Sequence, residues 1–197
     1  NFLIADQGAI AVTENEGNAR LTMSCPPVHI VLAGMEKMLP RLADLPLFLP
    51  LLATSGTGQQ VTSYNSVVRG PRQEGEVDGP GQMIVILIDN GRSKIYQKER
   101  FREVLRCIRC GSCLNACPIF KSVGGHTYHT TYQGPIGSVL TPQFKGVAEW
   151  SHLSQASSLC GACSEACPVH IELHELLLAN RWEADQAGIG KGWKLAM

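Results

Sequence analysis

Seven of the eight cysteines stand in two short runs, Cys107-Ile108-Arg109-Cys110-Gly111-Ser112-Cys113-Leu114-Asn115-Ala116-Cys117-Pro118 and Cys160-Gly161-Ala162-Cys163-Ser164-Glu165-Ala166-Cys167-Pro168. Thiols this close together suit metal ligation in a reducing compartment better than a disulfide framework. A cubane iron-sulfur cluster asks for one thiolate at each of its four irons. A C-x2-C-x2-C run can fold three thiolates around one cube, and the fourth must come from elsewhere. The spacing therefore points to two 4Fe-4S clusters. In the two-cluster arrangement the last cysteine of each run serves the other cluster, and the proline after it turns the chain away. That assigns Cys107, Cys110, Cys113 and Cys167 to one cluster, and Cys117, Cys160 and Cys163 to the other.

The second set is one thiolate short. Counting back from Cys160 by the spacing of the first run puts Ser157 where the missing cysteine would stand. Four readings follow: Ser157 supplies an alkoxide, solvent or substrate takes the fourth corner, the cluster is 3Fe-4S, or Cys25 reaches it. A lone cysteine before Pro26-Pro27 is more often a buried apolar residue than a ligand. Structural zinc is the bland alternative, since C-x2-C pairs can build a four-thiolate site. Zinc leaves the seven cysteines, the C-x3-C steps and the two Cys-Pro endings unexplained.

The elements that hold these runs are expected to be helical. Phe101, Val104, Leu105 and Ile108 recur at helical spacing before the first run, and Leu173, Leu176 and Leu177 begin an amphipathic helix running towards Trp182 after the second. A long connection, residues 118–159, joins the runs, which favours an α-helical ferredoxin-like two-cluster module over a compact bacterial ferredoxin. Upstream the pattern changes. Phe2 to Ala5 and Ala9 to Thr13 flank the turn signal Asp6-Gln7-Gly8 and predict a hairpin. Val28 to Ala33, Gln60 to Val68 and Met83 to Ile88 predict further strands, the last a buried one by its unbroken apolar run. Gly34 to Ala53 predicts helix in pieces broken by prolines, and the Gly- and Pro-rich residues 69–82 predict a surface loop. Residues 1–94 thus predict an α/β domain, and 95–197 the iron-sulfur module.

Composition sets the outer limits. With 44% hydrophobic and 17% charged residues the chain can bury a core, so disorder is not the default. Seventeen basic residues balance seventeen acidic ones, which removes the global field that would announce nucleic acid or an anionic membrane. The longest apolar stretch, Leu39 to Ala53, is broken by Pro40, Arg41, Asp44, Pro46 and Pro50 and falls short of the roughly 20 residues that span a bilayer. No signal peptide is evident at the start. The expectation is a cytoplasmic protein, membrane-associated only through partners. Asn1-Phe2-Leu3-Ile4-Ala5 reads as a strand already under way, so a fragment is expected.

Two weaker constellations remain. Glu14-Asn15-Glu16-Gly17-Asn18 groups carboxylates and amides after a strand, where an open α/β sheet can build a small-molecule site, although a solvated turn explains them as well. His126, Tyr128, His129 and Tyr132 could tune a cluster or meet a quinone or partner, with structural roles the commoner fate of such residues.

Taken together these residues resemble the lactate-utilisation iron-sulfur proteins, the B-type subunit of a three-component L-lactate-oxidising system. The resemblance rests on residues 1–6, Val12 to Arg20, Pro26-Pro27-Val28-His29-Ile30, Gly34-Met35-Glu36-Lys37, both cysteine runs, Gly124-Gly125-His126 and Gly134-Pro135-Ile136-Gly137. It implies that residues 1–94 are the later part of an LUD-type domain with a NagB/RpiA/CoA-transferase-like α/β fold, and that the family chain is longer at both ends. It also implies that the shortened second run belongs to the family pattern, of which Cys25 is not a part. The activity implied is electron transfer during oxidation of L-lactate to pyruvate, with other subunits of the system as partners. No residue here identifies where lactate would be oxidised. The rival is an enzyme in its own right, acting on a small acid or CoA-like substrate through Glu14 to Asn18 or through an incompletely ligated cluster. A third reading leaves the α/β domain only to dock partners.

Overall fold

Alternation along Phe2–Ile4 (β1) and Ala9–Glu14 (β2) sends successive side chains to opposite faces, and both faces are apolar. The two strands form an antiparallel hairpin pairing Phe2 with Ala11 and Ile4 with Ala9. Gly8 (φ 56°) closes the turn between them. β2 continues antiparallel to Tyr64–Val68 (β5), and β1 pairs in parallel with Met38–Leu39 (β4), giving the order β4-β1-β2-β5. Between β2 and β4 lie a short helix, Asn18–Ser24 (α1), and the strand Val28–Gly34 (β3). Helix α2, Leu45–Thr57, precedes β5. One sheet face packs Ile4, Ala9 and Ala11 against Leu39, Leu45 and Phe48; the other packs Leu3 and Ile10 against Met23, Val31 and Met83.

The computed structural model describes residues 1–189, which fall into two units, Asn1–Asp89 and the residues from Asn90 on. The sequence changes character at Asp89-Asn90-Gly91, and the boundary expected from it is drawn after residue 94. In the first unit β3 pairs with Gln82–Ile88 (β6) as a separate parallel two-stranded sheet. Two features differ from expectation. Pro46 lies in the first turn of α2, where its missing N–H costs no bond, and the helix runs on through Pro50; residues 35–44 form β4 and short 3-10 turns instead. The apolar run of β6 is not buried: Ile86, Leu87 and Ile88 are 45%, 53% and 43% exposed. With β3 as its one neighbour, β6 packs only a side such as that of Met83 on the larger sheet.

The second unit is helical. Arg92–Gln97 (α3) leads into a 3-10 stretch, Glu99–Arg106, which delivers the first cysteine run in place of the expected α-helix. Phe101 and Val104 are buried there, whereas Ile108 stands outside and exposed. Next come Ser112–Ala116 (α4), Pro118–Val123 (α5), Gly134–Lys145 (α6), Val147–Gln155 (α7), Ala162–Glu165 (α8) and Leu173–Gln186 (α9). Helices α6, α7 and α9 pack mutually, and α4 lies against α8. Their core joins Phe101, Val104, Val139, Ile171, Leu173 and Leu177 to Cys113, Cys163 and Cys167. Among the described residues no helix is long and apolar enough to cross a membrane.

Pro142 lies inside α6 and cannot bond the carbonyl four residues back, that of Ser138. Two side chains meet that carbonyl: Ser154 Oγ donates to it at 2.7 Å and Asn180 Nδ2 at 3.2 Å. Asn180 is fully buried, also reaches Val139 O and Ser154 Oγ, and accepts from Gln143. A proline defect in α6 is thus mended by α7 and α9, which locks the three helices together.

Candidate metal centres

The two cysteine runs are one backbone turn built twice. Gly111 and Gly161 take φ 80° and 84°, and the residues two before them, Arg109 and Leu159, take 60° and 55°. An Arg or Leu in the left-handed region is strained, so its occurrence at the same place in both runs marks a turn that its surroundings dictate. The hydrogen bonds repeat as well. Leu114 N–H donates to Gly111 O and Ser164 N–H to Gly161 O, both at 2.9 Å; Cys117 N–H donates to Leu114 O at 3.2 Å and Cys167 N–H to Ser164 O at 3.1 Å. Each turn then enters its short helix, α4 or α8, and those helices touch.

All seven cysteines of the runs are free thiols. Backbone N–H groups point at three of the sulfurs, Arg109 at Cys107, Phe120 at Cys117 and Ile171 at Cys167, each at 3.4 Å. Such donors stabilise negative sulfur, the form that binds metal. Burial pushes the Cys107 thiol up despite the Arg109 N–H, pushes Cys113 up to about 11, and raises Cys163. The outer cysteines differ. Ser112 Oγ, 3.4 Å from Cys110 Sγ, lowers the Cys110 thiol, and the Ala162 N–H, aided by the Ser158 hydroxyl, lowers Cys160.

Electrostatic neighbours show which sulfurs lie together. Cys107 feels Cys110 and Cys167; Cys113 feels Cys107, Cys163 and Cys110; Cys163 feels Cys117. The last cysteine of each run therefore faces the other run, the interlacing that a two-cluster module needs. Among the described residues no three Cys, His, Asp or Glu groups converge as on a single ion. A cubane takes one ligand at each of four separate irons, so its thiolates need not meet on one ion. The donor set, free, N–H-supported and spread, fits iron-sulfur clusters.

The other residues singled out by sequence lie elsewhere. Cys25 follows the end of α1 in the first unit and is exposed, not the buried apolar residue expected of a lone cysteine, because Met23 takes the inward place on that helix. Glu14 accepts from the backbone N–H groups of Ala19 and Arg20 at 2.7 Å each, closing the open start of α1. Asn15 accepts from Ser63 N–H and donates to Gln59, and Asn18 donates to Glu16. The carboxylates and amides after β2 are thus engaged in a turn and a helix start. Tyr128 is buried against Phe120, and Tyr132 packs on Phe144 with the Arg109 guanidinium over its ring, 5.7 Å from the ring centre, while His126 and His129 are exposed.

Sequence reading passed over Arg181. From α9 it donates to Ser154 O at 3.0 Å, Gln155 O at 3.2 Å and Ser157 O, satisfying carbonyls at the end of α7 and fixing the residues that lead into the second turn. Nothing local announces it, because donor and acceptors meet only when α9 folds onto α7.

Comparison with known proteins agrees with this division. The LUD domain family matches residues 1–88, and the 4Fe-4S dicluster domain family matches residues 103–171. Lactate utilization protein B of Bacillus velezensis is 49% identical over 181 residues, and those of Bacillus thuringiensis and Bacillus cereus are 51% identical over the same length. In each case the match covers 92% of this chain and 38% of the relative, so the chain spans well under half the length of those proteins. No solved structure matches. The chain is thus similar to the LUD domain over residues 1–88, to the 4Fe-4S dicluster domain over residues 103–171, and to part of Lactate utilization protein B over nearly all its own length.

Proposed function

We propose that this chain is the electron-carrying part of a system that oxidises L-lactate to pyruvate. It holds two 4Fe-4S clusters, one on Cys107, Cys110, Cys113 and Cys167 and one on Cys117, Cys160 and Cys163, and exchanges electrons with other subunits of that system. The observation that carries this reading is the doubled turn with its last cysteines exchanged, which sets two sites side by side through α4 and α8. When bound, such clusters supply reversible one-electron transfer. The chain's own residues hold and space them: buried Cys113, Cys163 and Cys167 exclude water, while exposed Cys110 and Cys160 leave each site an edge open to a partner. The first unit serves as the later part of an LUD-type domain with a NagB/RpiA/CoA-transferase-like fold.

Iron and sulfide analysis with EPR on anaerobically prepared protein tests this. About eight irons per chain and two reducible, magnetically coupled centres are expected of two cubanes. About four irons, or clusters that cannot be reduced and reoxidised, would overturn it. Stopped-flow reduction by lactate in the reconstituted multi-subunit system, absent when Cys113→Ala replaces the native chain, places the clusters on the lactate path; unchanged lactate oxidation with that variant removes them from it.

A further inference from the structure

The second turn lacks its first cysteine, yet its backbone does not relax. Ser157 occupies the position that Cys107 holds in the first turn, and the same two hydrogen bonds surround it. Cys107 N–H donates to Val104 O at 3.2 Å, and Ser157 N–H donates to Ser154 O at 3.4 Å. Arg109 N–H donates to Cys107 Sγ at 3.4 Å, and Leu159 N–H donates to Ser157 Oγ at 3.1 Å. A serine freed from a ligating role has no need of a left-handed leucine two residues on, and Leu159 pays that conformational penalty at φ 55° just as Arg109 does at 60°. Arg181 donates to the carbonyls of Ser154, Gln155 and Ser157, so the chain leading into the turn is held by the protein's own bonds. The neighbouring Ser158 is exposed, and it matches Ile108, which points to solvent in the first turn.

We propose that Ser157 Oγ is the fourth protein ligand of the second cluster, standing where the repeated turn places Cys107 Sγ for the first. This inference rests on the two-cluster reading. On ligation the Ser157 O–H bond breaks, an Oγ–iron bond forms, the proton passes to solvent and no electron changes hands. An alkoxide is a harder donor than a thiolate and favours the ferric state, so the second cluster is the more reluctant of the two to accept an electron. The unequal ligand sets give the pair a direction, with the all-cysteine cluster as the lower-lying resting place for the electron.

The test uses the anaerobically prepared holoprotein and three variants, read by iron content, Mössbauer and EPR spectra, potentiometric titration, and coupling to solvent labelled with oxygen-17. In the native protein no solvent oxygen should couple to the second cluster. Ser157→Ala should either lose one iron, from about eight to about seven per chain with a 3Fe-4S signal, or keep it and gain oxygen-17 coupling. Ser157→Cys should keep all its iron and raise the midpoint potential of that cluster, whereas Ser158→Ala, which removes only a hydroxyl beside Cys160, should keep all its iron and gain no oxygen-17 coupling. Native coupling to solvent oxygen would show an open corner and overturn the inference. So would a Ser157→Ala spectrum identical to the native one, or, should that variant fail to fold, an unmoved potential in Ser157→Cys. A native iron count of about four would sink the two-cluster reading itself, a different failure visible before any variant is made.

Discussion

At the scale of single residues the cysteines of each run divide by position. Cys110 and Cys160 are exposed and held below the ordinary thiol value by neighbouring hydroxyl and N–H groups, whereas burial lifts Cys113 to about 11. A lower value means more thiolate at a given pH, and the thiolate is the nucleophile. In folded, metal-free, reduced protein at neutral pH, iodoacetamide should therefore label Cys110 and Cys160 first and Cys113 last. Peptide mass spectrometry over a time course checks the order, and equal rates would mean that the turns do not persist without metal. This level was the most legible in sequence. Such a turn is written in adjacent residues, so Cys-to-Cys spacing and the terminal prolines were enough to single out the two runs that the structure builds on one backbone pattern, with Ser157 at the place of Cys107. The reading of Cys25 as buried failed because burial depends on which side of α1 turns inward, and that is decided by Met23 packing under β2 and β3.

Elements were legible where their period was local and illegible where neighbours decided. The hairpin of β1 and β2 and the helix α9 follow from alternation and from the leucine spacing at Leu173, Leu176 and Leu177. The 3-10 form of Glu99–Arg106 does not, since Phe101 and Val104 suit either helix type and the choice falls to the turn that must deliver Cys107. The mending of α6 is farther still from sequence. Pro142 announces a broken bond, but nothing near it says that Ser154 and Asn180 will take up the Ser138 carbonyl. That gives Asn180 a definite weight. Asn180→Leu keeps the bulk yet leaves Ser138 O and Val139 O short of a donor in the interior and leaves the half-buried Gln143 Nε2 with Glu183 as its remaining acceptor. A loss of about 3 kcal/mol, the upper range for stranding buried polar groups, is expected in denaturant unfolding. Because Asn180 neighbours Arg181 on α9, the variant should also loosen the Ser154–Ser157 carbonyls and broaden the second cluster's EPR signal more than the first's. Equal broadening of both would detach this network from the second turn.

At the scale of the whole molecule two units of different character share one chain, and both cysteine runs lie in the second. Its core counts Cys113, Cys163 and Cys167 among its buried residues, so on the two-cluster reading stripping the metal removes links that tie the first turn to the second and leaves the raised thiols of Cys113 and Cys163 protonated in the interior. The sign of the pH effect follows. A thiol whose folded value lies above its unfolded one stabilises the metal-free fold below the unfolded value of 9.0, and for Cys113 that stability drains away as pH climbs towards about 11. A metal-bound thiolate has no proton to lose in that range. Metal-free protein should therefore melt at falling temperature between about pH 9 and 11 in its helical signal, while the loaded protein holds its melting temperature over the same interval. The first unit, whose core of Ile4, Ala9, Ala11 and Leu39 contains no thiol, should show one transition indifferent to iron. Differential scanning calorimetry of loaded and chelated protein across that pH range separates the two. If chelation shifted both transitions together, the units would unfold as one and the metal would support more of the molecule than the helices that bind it.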